Sequence, residues 1–308
     1  MTFSVVIATY NRPTELSSCM RAVLAQHHRP EEIIIVDQSA RTQEDMFSRI
    51  CREAGVRLRY EHTPGLSGLT AARNHAIPLA SSDIVLFLDD DVELDEAYIR
   101  VLCEVFEDDA KGRIGGAGGL ITNFPSTISL GQRLRSWFFY RGPFGVERDL
   151  LAFHFHPPDR PRRALRLHGC AAFRRRVLEH FRFDQAYSGY AFGEDRDLSV
   201  QVSRQFELWW VPAARLIHKK TLGSRIDRER FCELRVLSWL RFYERCVDKT
   251  ALNKIAYLWL NIGFLTLLAS VWDWATVRGT ARGLWRLIGI LRGRERLEAA
   301  LQGNWRPA

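Results

Sequence analysis

Three aspartates close an apolar run in Leu86-Phe87-Leu88-Asp89-Asp90-Asp91. Side chains alternate along an extended strand, so Asp89 and Asp91 can project together while Asp90 points elsewhere. Two carboxylates on one side suit a hard divalent cation that keeps part of its water and also grips a diphosphate. The same run also reads as a solvated acidic turn, with Asp91 or Asp95 capping the next helix. A second acidic group, Glu194-Asp195, stands in Tyr190-Ala191-Phe192-Gly193-Glu194-Asp195-Arg196-Asp197-Leu198 at the start of a segment with helical spacing. Acids there are favoured by the helix dipole, and a carboxylate there can also accept a proton from a hydroxyl. Further polar groups sit in Thr9-Tyr10-Asn11-Arg12-Pro13, in Asp37-Gln38-Ser39 and in Gly65–Asn74. Asp37 can receive a base imide N–H, and Arg73 can offer its planar donors to a base carbonyl or a phosphate.

These residues need elements to hold them on one edge. Apolar runs at Phe3–Ala8, Glu31–Val36, Arg57–Glu61, Ile84–Leu88 and Arg113–Thr122 predict five strands. Helical spacing at Thr14–Gln26, Thr42–Ala54, Leu69–Ala80 and Asp95–Phe106 predicts the helices between them. Strands that alternate with helices give an α/β fold around a doubly wound, mostly parallel sheet. Ligands in such sheets bind beyond the carboxyl ends of the strands, where the polar groups above fall. Residues 131–165, rich in Pro, Arg and His, read as an irregular insertion or mobile loop. Strand character returns at Leu165–Phe173, Phe206–Val211 and Leu216–His218, with a helix at Gly193–Arg204 between them. Gly115–Gly119 lacks the order of a dinucleotide-binding loop and predicts close backbone packing.

The chain has 308 residues, 46% hydrophobic and 26% charged, which is globular usage and excludes wholesale disorder. Six scattered Cys, with no C-x-x-C pair, read as reduced thiols of a cytosolic protein. The start, Met1-Thr2-Phe3-Ser4-Val5, does not read as a signal peptide. The net charge of +8 is uneven: residues 1–130 carry 12 basic and 19 acidic residues, the remainder 32 and 17. A basic second half calls for an anionic partner.

The ordered set VIATYNRP, IIIVDQS, GLSGLTAARN, LFLDDD and GEDRDL resembles the family-2 glycosyltransferases over roughly residues 3–220. The resemblance implies a GT-A-type fold and inverting, metal-dependent transfer of a hexose-type sugar from a nucleotide-sugar donor to a hydroxyl. It implies that Thr9, Asp37 and Arg73 line the nucleoside pocket, with Tyr10, Arg12 and Asp90 beside the donor. Asp89 and Asp91 match the ends of the D-x-D motif. Asp91 would hold Mg²⁺ or Mn²⁺, and Asp89 would face the ribose and the metal shell. His218 matches a position where some members place a metal-binding His; a lone His there also reads as structural. Asp195 would be the base for the acceptor hydroxyl, with Glu194 beside it. His168–Arg174 resembles a sugar-contacting segment, and Lys219, Lys220 and Arg225 could hold the diphosphate. Gln38 departs from the common small or acidic residue, and Asp90 adds a charge. Two other readings stay open: a nucleotidyltransferase that makes the sugar nucleotide, and a non-catalytic membrane-bound glycan-binding module.

The boundaries are 1–226 for the catalytic domain and 227–308 for a helical extension. Ile255–Trp272 has no charged residue and reaches the lower limit of a spanning length. Beyond it Arg278, Arg282, Arg286, Arg292 and Arg296 share one arc of a helix, with Val277, Leu284, Ile288 and Leu291 beside them. That pattern suits a helix in an anionic membrane interface; it also suits a hairpin packed on the catalytic domain. The expected setting is the cytoplasmic face of a membrane, with a glycan or lipid-linked acceptor in envelope polysaccharide synthesis. No nucleic-acid motif accompanies the basic excess.

Overall fold

The computed structural model describes residues 1–125, 128–187, 192–219, 227–270 and 273–302. In the N-terminal half, β1 (Phe3–Thr9), β2 (Glu32–Asp37), β3 (Arg57–His62) and β4 (Ile84–Asp89) are the expected apolar runs. They hydrogen-bond in the order β3-β2-β1-β4, all parallel. Crossovers are made by α1 (Pro13–Leu24), α2 (Glu44–Ala54) and α3 (Leu69–Ala76). Successive strands are added on one side of β1 as far as β3 and on its other side at β4, so the carboxyl ends of β1 and β4 flank a switch-point crevice.

The second half of the sheet is mixed. It uses β5 (Val92–Leu94), α4 (Tyr98–Glu107), β6 (Ile114–Ile121), α5 (Leu130–Phe139), α6 (Val146–Phe155), β7 (Arg162–Ala164), β8 (Ala171–Arg174), α7 (Arg175–His180), α8 (Glu194–Ser203) and β9 (Glu207–His218). The order continues β4-β8-β6-β9-β5, with β7 on β9. Only β6 and β9 pair in parallel here. Alternation splits the core: Phe3, Val5, Ile7, Ile33 and Ile35 pack against α1, α2 and α4, while Val6, Ile34, Val36 and Phe87 face α3 and α8. Gly119 packs against Ala214 and Tyr98, which bears out the reading of the glycine run as close packing within a strand.

Two sequence expectations change. Residues 131–165 are not an irregular loop but contain α5 and α6. Ser129 and Gln132 form a reciprocal capping box that starts α5, a signal masked by the prolines around it. The two short strands expected at 206–211 and 216–218 are one strand, β9, interrupted by a bulge. Between the pairs Gly118/Trp210 and Leu120/Arg215, β6 advances two residues while β9 advances five, and Pro212 lies in the excess.

The C-terminal region is helical: α9 (Arg228–Cys246), α10 (Ala251–Ser270), α11 (Trp274–Leu291) and α12 (Leu297–Gln302). Leu237, Trp239, Phe242, Leu260, Phe264 and Leu287 form its core. The arginine arc of α11 does not stand free for lipid. Arg278 and Arg282 pair with Glu229, and Arg286 pairs with Glu233 and Glu295, because Gly279 and Gly283 let α11 lie directly against α9. Among the described residues no helix is long and apolar enough to cross a membrane. Val271 and Trp272, the end of the uncharged run, lie outside those residues.

The α9–α11 contact gives a stability test. Any side chain at Gly279 meets the α9 backbone, whereas a Cβ at Gly289 meets nothing within 4 Å. Gly279→Val should cost roughly 1–3 kcal/mol in overpacking, while Gly289→Ala should be neutral or gain up to about 1 kcal/mol in helix propensity. Thermal or urea unfolding of both variants measures the contrast.

Candidate active site

At the end of β1 the chain turns through Asn11, whose φ of 53° is the one positive value outside glycine among the described residues. Asn tolerates this region better than most residues. Its N–H donates to Ser39 Oγ at 2.7 Å, which ties the β1 loop to the β2 loop. Between them opens a cleft of about 390 Å³ lined by Thr9, Arg12, Leu16, Asp37, Ser39 and Gln43, among others. Parallel register sets Thr9 beside Asp37 and Ala8 beside Asp89. Asp37 accepts from Ser39 N–H at 2.9 Å and from the Tyr60 hydroxyl at 2.5 Å. Gln38 donates to the carbonyls of Leu66 and Gly68, so the residue that departs from the family pattern pins the loop before α3.

Beyond β4 the three aspartates separate as alternation predicts. Asp89 Oδ2 lies 3.7 Å and Asp91 Oδ1 3.0 Å from His218 Nε2. The antiparallel register of β5 and β9, which pairs Val92 with His218, brings this about. The ligand atoms of Asp89, Asp91 and His218 lie within 4.8 Å of one another, a set of oxygen and imidazole donors that fits a divalent cation. Asn123 exchanges two hydrogen bonds with the His218 backbone and braces it. His218 and Arg12 outweigh burial and hold the Asp91 carboxyl well below the usual range. Asp90 turns the other way. It accepts from Thr9 Oγ1 at 2.8 Å and Arg12 Nη1 at 2.6 Å, and burial pushes its carboxyl up to about 7. Asp90 therefore anchors Thr9 and Arg12, two residues that line the cleft, from beneath and not from within the cleft.

Arg73 also departs from expectation. Its side chain is 1% exposed and outside the Thr9–Asp37 cleft. One Nη donates to Asp89 at 2.9 Å, and the other lies 3.4 Å from Glu194. Phe87 and Phe183 flank its guanidinium. Gly169 faces it closely: a Cβ there would stand 3.1 Å from one Nη. Arg73 thus joins the aspartate cluster to the start of α8, because α3 carries it under the end of β4.

At that start, Gly193 adopts φ 92° and α8 begins with the acid pair. Burial, followed by the neighbouring Asp195 charge, raises the Glu194 carboxyl above its ordinary range. For Asp195 burial acts the same way, but Arg166 outweighs it. Its Nη2 donates to both Asp195 oxygens at 3.0 Å, and the carboxyl is held below its usual value. Arg166 also pairs with Glu147 of α6. Arg196 meets the same Glu147 at 3.1 Å and stacks over Trp239 of α9 at 3.8 Å. His168 bonds to Gly119 and the Cys170 N–H, and burial lowers it to about 4.

Thr9, Arg12 and Asp37 thus share one cleft, and Asp89, Asp91 and His218 share one cluster. Tyr10 follows Thr9 on the loop and is half-buried. Lys219 pairs with Glu93 and donates to Ser18; Lys220 and Arg225, like Tyr190 and Ala191, lie outside the described residues. Arg166, Glu147, Asn123 and Tyr60 were missed. No spacing signal marks them, since each meets its partner only through the fold.

Comparison with known proteins agrees with this geometry. A family model described as Glycosyl transferase family 2 matches residues 4–182. WcaA of Escherichia coli (strain K12), a protein named for colanic acid biosynthesis glycosyl transfer, is 32% identical over 90 residues, covering 29% of this chain and 32% of that one. The chain spans about a third or less of the length of the curated relatives it matches first. Among solved structures, Staphylococcus aureus TarS 1-349 in complex with UDP-GlcNAc superposes with a TM-score of 0.52 at 12% identity, over 96% of this chain and 93% of that one. The mannosyltransferase PcManGT of Pyrobaculum calidifontis, in complex with GDP-Man and Mn²⁺, gives 0.54 at 15%, over 97% and 84%. At these identities the likeness is one of fold.

The Arg12 guanidinium sits on Asp91 at 3.1 Å, where it competes as a cation. Asp91→Asn should abolish Mn²⁺ binding followed by electron paramagnetic resonance. Arg12→Gln should tighten it in the absence of nucleotide, by about fivefold or more, since a unit charge this close is worth at least ~1 kcal/mol. Weaker Mn²⁺ binding by Arg12→Gln would show that the guanidinium organises the cluster instead.

Proposed function

The chain belongs to glycosyl transferase family 2, and from that premise we propose a metal-dependent, inverting transfer of sugar from a nucleotide-sugar donor to a hydroxyl of a glycan or lipid-linked saccharide. The setting proposed is envelope polysaccharide or glycolipid synthesis at the cytoplasmic face of a membrane. The carrying observation is that one guanidinium, Arg73, joins a cation-type cluster of Asp89, Asp91 and His218 to the Glu194–Asp195 pair on one sheet edge. A nucleoside-sized cleft opens beside that cluster. Relatives of this fold hold UDP-GlcNAc, or GDP-Man with Mn²⁺, which supports a nucleotide-sugar donor and Mn²⁺ or Mg²⁺ here. The colanic acid name of WcaA supports the envelope setting.

In this reading Thr9, Arg12 and Asp37 hold the nucleoside, with Tyr10 on the adjoining loop. Asp89, Asp91 and His218 hold the cation, whose charge would offset the charge that grows on the leaving diphosphate. Arg73 orients Asp89. Asp195 takes the proton from the acceptor hydroxyl as its oxygen bonds to the anomeric carbon from the face opposite the diphosphate. The carbon–oxygen bond to the diphosphate breaks, and its electron pair leaves with the diphosphate. Arg166 takes one lone pair on each Asp195 oxygen and the Arg196 N–H takes a second on Oδ1, so Oδ2 is the oxygen with one left for the proton.

A second reading gives the proton to Glu194. It rests on the raised Glu194 carboxyl beside an Asp195 already neutralised by Arg166, since a base nearer the working pH transfers protons better.

The pH profile separates the two. A base must be ionised, so activity falls as pH drops through its carboxyl value. With Asp195 as base, that value is depressed, and the rate stays flat down through the ordinary carboxylate range near about pH 4. Asp195→Asn should cut single-turnover transfer by roughly 10²- to 10⁴-fold with donor binding kept. Arg166→Gln should move the acid limb upward. A limb above the ordinary range, with Glu194→Gln the more damaging change, assigns the base to Glu194. Asp197 is paired with Arg245 of α9, so Asp197→Asn should act on stability more than on rate. Full transfer in excess EDTA would refute the metal-dependent mechanism; screening UDP-, GDP- and dTDP-sugars by Mn²⁺-dependent thermal shift finds the donor to use.

A further inference from the structure

Among the described residues, all but three of the exposed large hydrophobic side chains lie on α5, α10 and α11; the exceptions are Met1, Leu165 and Ile217. Helix α5 has no buried residue, and Leu130, Leu134, Trp137 and Phe138 form a stripe along it at helical spacing. Helix α10 is apolar on two sides. Tyr257, Leu260 and Phe264 enter the core, while Leu252, Ile255, Leu258, Ile262 and Leu265 face outward, exposed by 44–74%. The two stripes are joined. Trp259 Nε1 donates to the Phe138 carbonyl at 3.0 Å, its ring lies 5.1 Å from Phe138 and 5.3 Å from Phe139, and Gly263 makes room for Phe139. On α11, Trp274 and Trp285 are more than 70% exposed.

A patch this size on a soluble surface calls for a partner. The charges around it choose the kind. Helices α5, α10 and α11 contain no Asp or Glu at all, but carry Arg133, Arg135 and Lys254 besides the three arginines paired with glutamates. Arg133 and Lys254 are exposed, and Arg141 covers the Trp137 and Phe138 rings. A second copy of the same face would set cations against cations. An anionic bilayer complements both features: acyl chains take the apolar stripe, and headgroups take the basic rim. Exposed Trp side chains suit the boundary between the two.

We propose that the α5–α10 face, with the tryptophans of α11 at its border, is the docking surface for an anionic lipid bilayer, inserted at the interface and not spanning it. Contact is through the apolar side chains; the arginines that bind α9 are not its main source. Helix α5 follows β6 after a short connection from Asn123, which braces His218, so docking holds the catalytic edge near the lipid surface. This deepens the membrane part of the functional reading and rests on it for its biological meaning.

The test uses the full chain with vesicles of phosphatidylcholine alone or with one third phosphatidylglycerol. Co-sedimentation should be strong only with the anionic vesicles and should weaken with salt. Brominated acyl chains should quench the tryptophan fluorescence. Leu258→Gln with Ile262→Gln, both at exposed positions, should lower partitioning by about tenfold or more. Lys254→Glu should lower it by roughly fivefold. Mn²⁺- and nucleotide-dependent thermal shift should stay at the wild-type level in all these variants, which keeps failure of docking distinct from failure of the transferase reading. Vesicle binding unchanged in the variants, or none to begin with, overturns the proposal. A concentration-dependent dimer in light scattering, abolished by the same variants and accompanied by no vesicle binding, assigns the face to a second copy.

Discussion

A guanidinium with 1% of its side chain exposed has to be matched by charge, or it would not stay buried. Arg73 is matched on both sides, by Asp89 from the end of β4 and Glu194 from the start of α8, with the Phe87 and Phe183 rings beside its guanidinium. Much of the catalytic edge follows from that requirement. Helix α3, capped at Gly68, carries Arg73 to this position, and Gly169 leaves its guanidinium room. The acid pair must sit at the first turn of α8 and no further along. Removing either carboxylate would leave a buried cation short of a partner, so the aspartate cluster and the acid pair cannot drift independently.

Alternating charge then continues away from the cluster. Glu194 is followed by Asp195, Asp195 is clamped by Arg166, and Arg166 shares Glu147 with Arg196, which lies on the Trp239 ring. Asp197 reaches Arg245, and Arg245 and Arg241 share Asp184. The helix bearing the acid pair is therefore fastened to α6 and α9 by ion pairs in low-dielectric surroundings, where geometry decides whether a pair helps or harms. The C-terminal helices bear on the chemistry through this fastening as well as through any surface they dock against.

Much of this was legible before the fold was known, for reasons that can be stated. Strands β1, β2 and β4 follow from continuous apolar runs rich in β-branched residues, β3 from a weaker, alternating one, and the divergence of Asp90 from Asp89 and Asp91 follows from strand alternation alone. Glu194 and Asp195 at a helix start follow from Gly193 and the acidic first turn. Arg73 was named as functional but given the wrong neighbours, since its partners stand 16 and 121 residues away in the chain. Arg166 and Glu147 carried no local signature, as an isolated Arg or Glu in an apparent loop looks like surface. The arginine arc of α11 was visible as an arc, but its direction was set by Gly279 and Gly283, which let a helix partner approach on that side. Helix α5 was obscured by nearby prolines, although its capping box was present in the sequence.

The bulge in β9 carries a consequence of parity. Between the pairs Gly118/Trp210 and Leu120/Arg215, β9 advances five residues while β6 advances two, so this bulge holds an odd excess of three. Each odd step exchanges the two faces of a strand. His218 therefore stands opposite the aspartates only because the excess is three and not two or four. Shortening or lengthening the 211–214 segment by a single residue would leave β5 a strand to pair with, yet bring Ile217 or Lys219 to the position of the imidazole. In one case the cluster would face a hydrocarbon, in the other a cation of its own. A donor atom of this site is thus specified by how many residues precede it in a kink as well as by its own identity, so chimeras and loop exchanges upstream of His218 have to conserve count before they conserve sequence.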